Sequence, residues 1–171
     1  KSIKTNILKE ILKDKSINKK YLVNSVSINS KQIDKNSIFV GIKGKKYDGN
    51  NFAEEAIKNG AILAIVNKKI GNSKIIFHQK PLKFFNRISS IYRKSLNTNT
   101  IAITGSAGKT SVKELTGFCL KKLDKTYFSK KSLNNKFGVP LSIFNTPEKT
   151  KFLVLEVGMN KKGEIDNLTK L

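Results

Sequence analysis

Apolar residues recur along this chain at two spacings, and the alternation between them outlines an α/β protein. Ile3, Ile7, Leu8, Ile11 and Leu12 share one face of a helix. Leu22 to Ile28 has strand character, Asp34-Lys35-Asn36 supplies a turn, and Ser37 to Ile42 reads as a second strand. A polar loop from Gly44 to Asn51 precedes Phe52, Ala56 and Ile57, which fit a short helix closed by Asn59-Gly60. Ala61 to Val66 is nearly continuous in its apolarity, as a strand covered on both faces would be, and Ile75 to Phe77 is a further strand.

Pro81 suits the first turn of a helix whose apolar residues Leu82, Phe85, Ile88, Tyr92 and Leu96 repeat at helical spacing. The polar run Asn97-Thr98-Asn99 then marks a boundary, which divides the chain into residues 1–98 and 99–171. Beyond it, Ile101 to Ile103 is a strand, Gly105 to Gly108 a loop and Lys109 to about Leu123 a helix. Thr126 to Phe128 and Phe152 to Val157 read as more strands of a parallel sheet, and a last helix begins near Gly163.

Composition narrows the classes. The 171 residues are 38% hydrophobic, enough for one or two domains with ordinary cores. No run of about 18 apolar residues occurs, so no membrane span is expected, and without a signal-peptide apolar region a cytoplasmic location follows. The single cysteine, Cys119, shares a helical face with Leu115 and Leu123, and core packing is the expectation for it. His78, the only histidine, stands at a strand end and reads as structural.

Net charge is +22, from 34 basic and 12 acidic residues, which raises nucleic acid as a partner. Arginine occurs only at Arg87 and Arg93, and the lysines are spread along the whole chain. Phosphate and base readers favour arginine forks gathered on one surface, so no nucleic-acid partner is expected. A positive field would still attract an anionic nucleotide.

The chemistry is concentrated in Thr104-Gly105-Ser106-Ala107-Gly108-Lys109-Thr110. Glycines let backbone N–H groups converge on phosphate oxygens, and the following helix presents its positive end to the same anion. Lys109 would neutralise the β- and γ-phosphates of ATP, and the Thr110 hydroxyl would ligate Mg²⁺. The loop is shorter than the common P-loop, whose first glycine position holds Ile103.

This short loop resembles that of the Mur ligases, and three other stretches extend the likeness. Leu133-Asn134-Asn135-Lys136-Phe137-Gly138-Val139-Pro140 resembles the asparagine-rich loop of the family's D-alanyl-D-alanine-adding branch. Glu156-Val157-Gly158-Met159-Asn160 with Gly163-Glu164-Ile165 is similar to its Glu-x-Gly-x-Asn and Gly-Glu-Ile pattern. Phe39 to Gly44 with Asp48 to Phe52 resembles the uridine-nucleotide-binding domain.

The resemblance implies a small N-terminal α/β domain for the UDP-linked substrate, then the beginning of a P-loop parallel-sheet ATP domain. The implied nucleotide set is Gly105, Ser106, Ala107, Gly108, Lys109, Thr110, Ser111, Asn134 and Asn135, with Lys109 catalytic. Thr110 and Glu156 are the implied metal ligands, and Glu156 ends a strand at the edge where parallel sheets bind ligands. Ser30, Lys31, Lys43 and Asp48 are the implied substrate contacts. Asn29-Ser30-Lys31 stands where the family carries an Asp-Ser-Arg-like stretch, which loses the acid and the planar guanidinium.

The implied reaction joins UDP-N-acetylmuramoyl-tripeptide and D-alanyl-D-alanine through an acyl phosphate made with ATP and Mg²⁺, in a monomer. Alternatives are another Mur-type ligase, tripeptide-forming or folate-type, and a non-catalytic lysine-rich module that binds phosphate or nucleic acid. Family members continue beyond the equivalent of Leu171, and Ile165 and Leu168 would leave an apolar helix face uncovered. With a start at Lys1, the chain reads as a truncated piece without turnover of its own.

Overall fold

The computed structural model describes residues 2–12, 22–44, 46–129, 132–159 and 162–171. Asn160, named above within the Glu-x-Gly-x-Asn pattern, lies outside them. Packing divides the chain into two compact units, Lys1–Ile88 and Ser89–Leu171.

In the first unit, four parallel strands stand side by side in chain order: β1 (Ser25–Ser27), β2 (Ser37–Val40), β3 (Leu63–Val66) and β4 (Ile75–Phe77). Ser25 pairs with Ser37, Ile38 with Leu63 and Ala64 with Ile75. Every residue of β2 and β3 is buried, which is why both read as unbroken apolar runs rather than alternating ones. Helix α1 (Ile3–Leu12) buries Ile7 and Leu8, and the Thr5 hydroxyl accepts the Val23 N–H at 3.0 Å, which fixes the chain entering β1. Helix α2 (Ala53–Lys58) contributes Ala53 and Ala56 to a core with Phe39, Ala61, Ala64, Val66 and Ile75.

The stretch read as a polar loop contains a 3-10 turn, Gly49–Phe52, capped by the Asp48 carboxylate through the Asn50 N–H. Two glycines allow this turn to lie against β2. A Cβ on Gly41 would sit 2.8 Å from a Val66 methyl, and one on Gly49 would sit 2.7 Å from the Ile42 carbonyl oxygen.

In the second unit the sheet order is β5-β7-β6, all parallel, with β5 at Asn99–Ile103, β6 at Thr126–Phe128 and β7 at Phe152–Glu156. The middle strand β7 is buried from Leu153 to Glu156, whereas β5 is largely exposed. Helix α4 (Lys109–Lys121) joins β5 to β6. Helix α5 (Gly138–Asn145) runs through Gly-Val-Pro, residues that taken locally favour a turn. Proline is tolerated here in the first helical turn, where its missing N–H has no intrahelical partner.

The division between the units falls inside α3 (Pro81–Ser95), upstream of the polar break at Asn97–Asn99. The last turns of α3 pack with the second unit. Ser89 donates to the Pro140 carbonyl at 3.1 Å, Tyr92 donates to the Thr146 carbonyl at 2.6 Å, and its ring lies 5.4 Å from that of Phe144. Burial raises the Tyr92 phenol above its ordinary pKa, so it stays a donor. A polar run thus marks where a helix ends, not where its packing changes.

Two expectations are corrected. Cys119 is exposed, not packed in a core, and so are Leu115 and Leu123 at 66% and 75%. The helical period is present, but α4 turns its other side, with Gly117 against Phe128, toward the sheet. Conversely Ile165 and Leu168 are not left uncovered. Helix α6 (Glu164–Thr169) places them against Val139, Ile143, Leu153, Leu155 and Val157.

Candidate functional site

The loop between β5 and α4 has the backbone of an anion cradle. Gly108 takes φ of 73°, a left-handed conformation that a side chain would strain, and it stands as the N-cap of α4 with no side-chain cap hydrogen bond. The N–H groups of the first turn therefore remain directed at the loop, as anion-binding helix ends require. Lys109 folds back over this loop, donating to the Gly105 carbonyl at 2.7 Å and the Ser106 carbonyl at 3.4 Å.

One residue further, the Thr110 hydroxyl donates to Oε2 of Glu156 at 2.8 Å. Oε1 accepts from the Ser132 hydroxyl and from Nδ2 of Asn134, both at 2.8 Å. Glu156 is 2% exposed. Burial pushes its carboxyl pKa up, but donation from Ser132, Asn134 and Thr110, with the Lys113 charge, outweighs burial and holds it below the ordinary range. The group is a carboxylate at neutral pH.

The cleft beside this network, about 460 Å³, is bordered by Thr104, Gly105, Ser106, Lys109, Asn134 and Asn135, with Gly158 and Met159 opposite. Asn135 has a second task. Its oxygen accepts the Phe137 and Gly138 N–H groups at 3.0 Å each and so starts α5. Gly158 donates its N–H to the Asn134 carbonyl at 2.7 Å, and a Cβ there would lie 3.2 Å from Cγ of Asn134. Ala107 and Ser111 are exposed on the loop and the first turn of α4, outside the residues bordering the cleft.

Ser132 carries no periodic or spacing signal. It emerges as a site residue only because the loop returns it to Glu156.

The donor set suits a nucleotide phosphate with a hard cation. Thr110 and Glu156 offer adjacent oxygen ligands, and among the described residues no group of three or more His, Cys, Asp or Glu is arranged to hold a metal ion. Mg²⁺ commonly takes only one or two protein oxygens and completes its shell with phosphate and water.

The first unit holds a separate cavity of about 750 Å³, beyond the carboxyl ends of β1 and β2. Its floor includes Ile28, Phe39, Ile42 and Phe52, and Ser30, Lys31, Lys46 and Tyr47 stand at its wall. Ser30 is buried and donates to Glu55 at 3.0 Å. Lys43 and Asp48 do not line it. They pair with each other in an isolated antiparallel bridge, and Asp48 is engaged by Asn50, whose hydrogen bonds hold its carboxyl below the usual carboxylate range. The structure thus brings Ser30 and Lys31 to one cavity and leaves Lys43 and Asp48 paired with each other outside its lining.

A glycine loop beside a buried carboxylate on the neighbouring strand of a parallel sheet defines an α/β class with the features of a phosphate site. The chain belongs to the Mur ligase family: residues 22–110 match its catalytic-domain model, "Mur ligase family, catalytic domain", and residues 103–171 match "Mur ligase middle domain".

Among curated relatives, the UDP-N-acetylmuramoyl-tripeptide–D-alanyl-D-alanine ligase of Buchnera aphidicola subsp. Baizongia pistaciae is 34% identical over 87% of this chain and 33% of its own length. The enzyme of that name from Bacillus subtilis is 29% identical over 95% of this chain and 37% of its own length. The chain therefore spans about a third of the length of the curated relatives it matches. In fold it resembles the MurF ligase from Thermotoga maritima in complex with ADP, with TM-score 0.76 and 30% identity over 90% of this chain and 36% of that one. A MurF structure from Acinetobacter baumannii gives TM-score 0.82 at 25% identity, covering 96% and 38%.

Proposed function

We propose that this chain supplies the UDP-substrate cavity and the phosphate loop of an ATP-dependent ligase that adds D-alanyl-D-alanine to UDP-N-acetylmuramoyl-tripeptide. The observation that carries the reading is the Thr110–Glu156 pair beside the Gly105–Lys109 loop, tied by Asn134 of the asparagine-rich stretch. The names of the relatives point the same way. No helix among the described residues is long and apolar enough to cross a membrane, which leaves a cytoplasmic setting open to the proposal.

Joining a carboxylate to an amine in water is uphill and has a poor leaving group. Transfer of the γ-phosphoryl group to the tripeptide's terminal carboxylate gives an acyl phosphate, and attack by the amine of D-alanyl-D-alanine then expels phosphate. In this scheme the backbone of Gly105 to Gly108 holds the phosphates and Lys109 leaves the Gly105 carbonyl to meet the β- and γ-oxygens. Thr110 and Glu156 would hold Mg²⁺, which supplies positive charge that screens the phosphates. Ser132 and Asn134 keep Glu156 aimed at Thr110. Ser30, Lys31 and the apolar floor of the first cavity would take the uridine nucleotide.

Calorimetric titration of the chain with ADP and Mg²⁺, and separately with UDP-N-acetylmuramoyl-tripeptide, tests this reading. Two independent saturable events are expected. Binding of neither ligand, or competition between them for one site, would overturn it.

A further inference from the structure

Lys113 is fully buried, one turn along α4 from Thr110, and the mechanism above gives it no task. Its Nζ donates to the Ser129 carbonyl at 2.5 Å and lies 3.7 Å from the Glu114 carboxylate, which is 42% exposed on its side chain. Ser129, itself buried, directly follows β6 and stands three residues before Ser132, which with Asn134 donates to Glu156.

An ammonium taken out of water carries a desolvation penalty unless its surroundings compensate, and an apolar side chain of equal length would pack without it. A lysine at this position is better explained by what its charge and its bond to Ser129 hold in place. We propose that Lys113 is a positioning residue for the cation half of the phosphate site, anchoring Ser129 to α4 three residues before Ser132 so that Ser132 and Asn134 keep Glu156 turned toward Thr110. The Lys113 charge also favours the ionised form of Glu156, in line with that role.

The inference rests on the reading of the loop as a nucleotide site, and the test separates the two. ADP affinity is measured on the full chain with Mg²⁺ and again with EDTA, for wild type, Lys113→Met and Ser132→Ala, with urea denaturation alongside. Wild type is expected to bind ADP more tightly with Mg²⁺. Absence of any such gain would remove the nucleotide reading and this inference with it.

If wild type shows the gain, Lys113→Met should reduce it about tenfold while metal-free ADP affinity and folding stability hold. A Lys113→Met protein in which both affinities fall together with stability would show a plain structural role and overturn the proposal. Unchanged metal dependence would also overturn it. Ser132 is exposed, so Ser132→Ala keeps the fold and stands in if Lys113→Met does not fold. It should lose about threefold of the metal-dependent gain, and no loss would show that the hold of Ser132 on Glu156 is irrelevant.

Discussion

The phosphate loop of the second unit and the cavity of the first both lie beyond the carboxyl ends of parallel strands, yet they are made of different material. The loop is chiefly backbone, drawn from consecutive residues between one strand and one helix, and its side chains are held in a hydrogen-bonded set around Glu156. The cavity is assembled from three separate stretches, around residues 28–31, 39–44 and 46–52, over an apolar floor with few polar groups. A site made of contiguous backbone keeps its chemistry when read one residue after another. A site made by folding distant stretches together does not, and its members must be identified by where they face.

The largest effect that would sharpen this contrast is expected from Lys109→Ala. Loss of a charge-assisted contact of about 1.5–3 kcal/mol should weaken ADP binding on the order of ten- to a hundredfold. UDP-N-acetylmuramoyl-tripeptide affinity should stay within twofold, measured by calorimetry on the same preparation. Parallel loss of both ligands would show that the two sites are not separable.

The same contrast explains how much was legible beforehand. The strands came through where burial on both faces forces unbroken apolar runs, as in Ile38 to Val40 and Leu63 to Val66. The Gly105–Thr110 loop came through because backbone curvature demands glycine at set positions. Helix α5 did not, since Gly138 and Pro140 signal a turn locally and only burial of Val139 and Ile143 against β7, with Phe144 against Tyr92, makes the helix favourable. Ser132 and Lys113 escaped for a different reason. Their roles lie in contacts made across 24 and 16 residues of sequence. Lys43 and Asp48, implied as substrate contacts by their place in a motif, pair with each other beside the cavity rather than among the residues that line it.

Acid titration gives the next effect in size. The folded-state pKa of Glu156 lies below its ordinary value of 4.5, because hydrogen bonds and the Lys113 charge overcome the opposing effect of burial. A depressed carboxyl contributes stability that is complete above the unfolded pKa and is lost as pH falls through the folded one. Urea midpoints of wild type should therefore fall more steeply on the acid side of the unfolded value than those of Glu156→Gln. Parallel curves for the two proteins would mean that the network does not favour the carboxylate.

For the cavity, Lys31→Ala should cost only about two- to fivefold in UDP-tripeptide affinity, because an exposed ammonium contributes at most about 1 kcal/mol. ADP binding to the loop should not change. A loss larger than tenfold would mean that the cavity depends on one charged group rather than on shape and apolar contact.

The smallest effect is expected on the outer face of α4, where helical spacing suggested a core and the structure shows solvent. Leu115 is 66% exposed, so Leu115→Ser should shift stability by no more than about 0.5 kcal/mol, as surface substitutions usually do. Leu153, fully buried on β7, provides the internal standard: Leu153→Ala should cost about 2–5 kcal/mol through lost contacts and the cavity left behind. Chemical denaturation of both variants at several protein concentrations separates burial within one chain from burial between copies. A Leu115→Ser loss approaching that of Leu153→Ala, and growing with concentration, would show that α4 is covered by self-association. The same loss without concentration dependence would place α4 in the core after all, and the helical period of Leu115, Cys119 and Leu123 would have been the better guide.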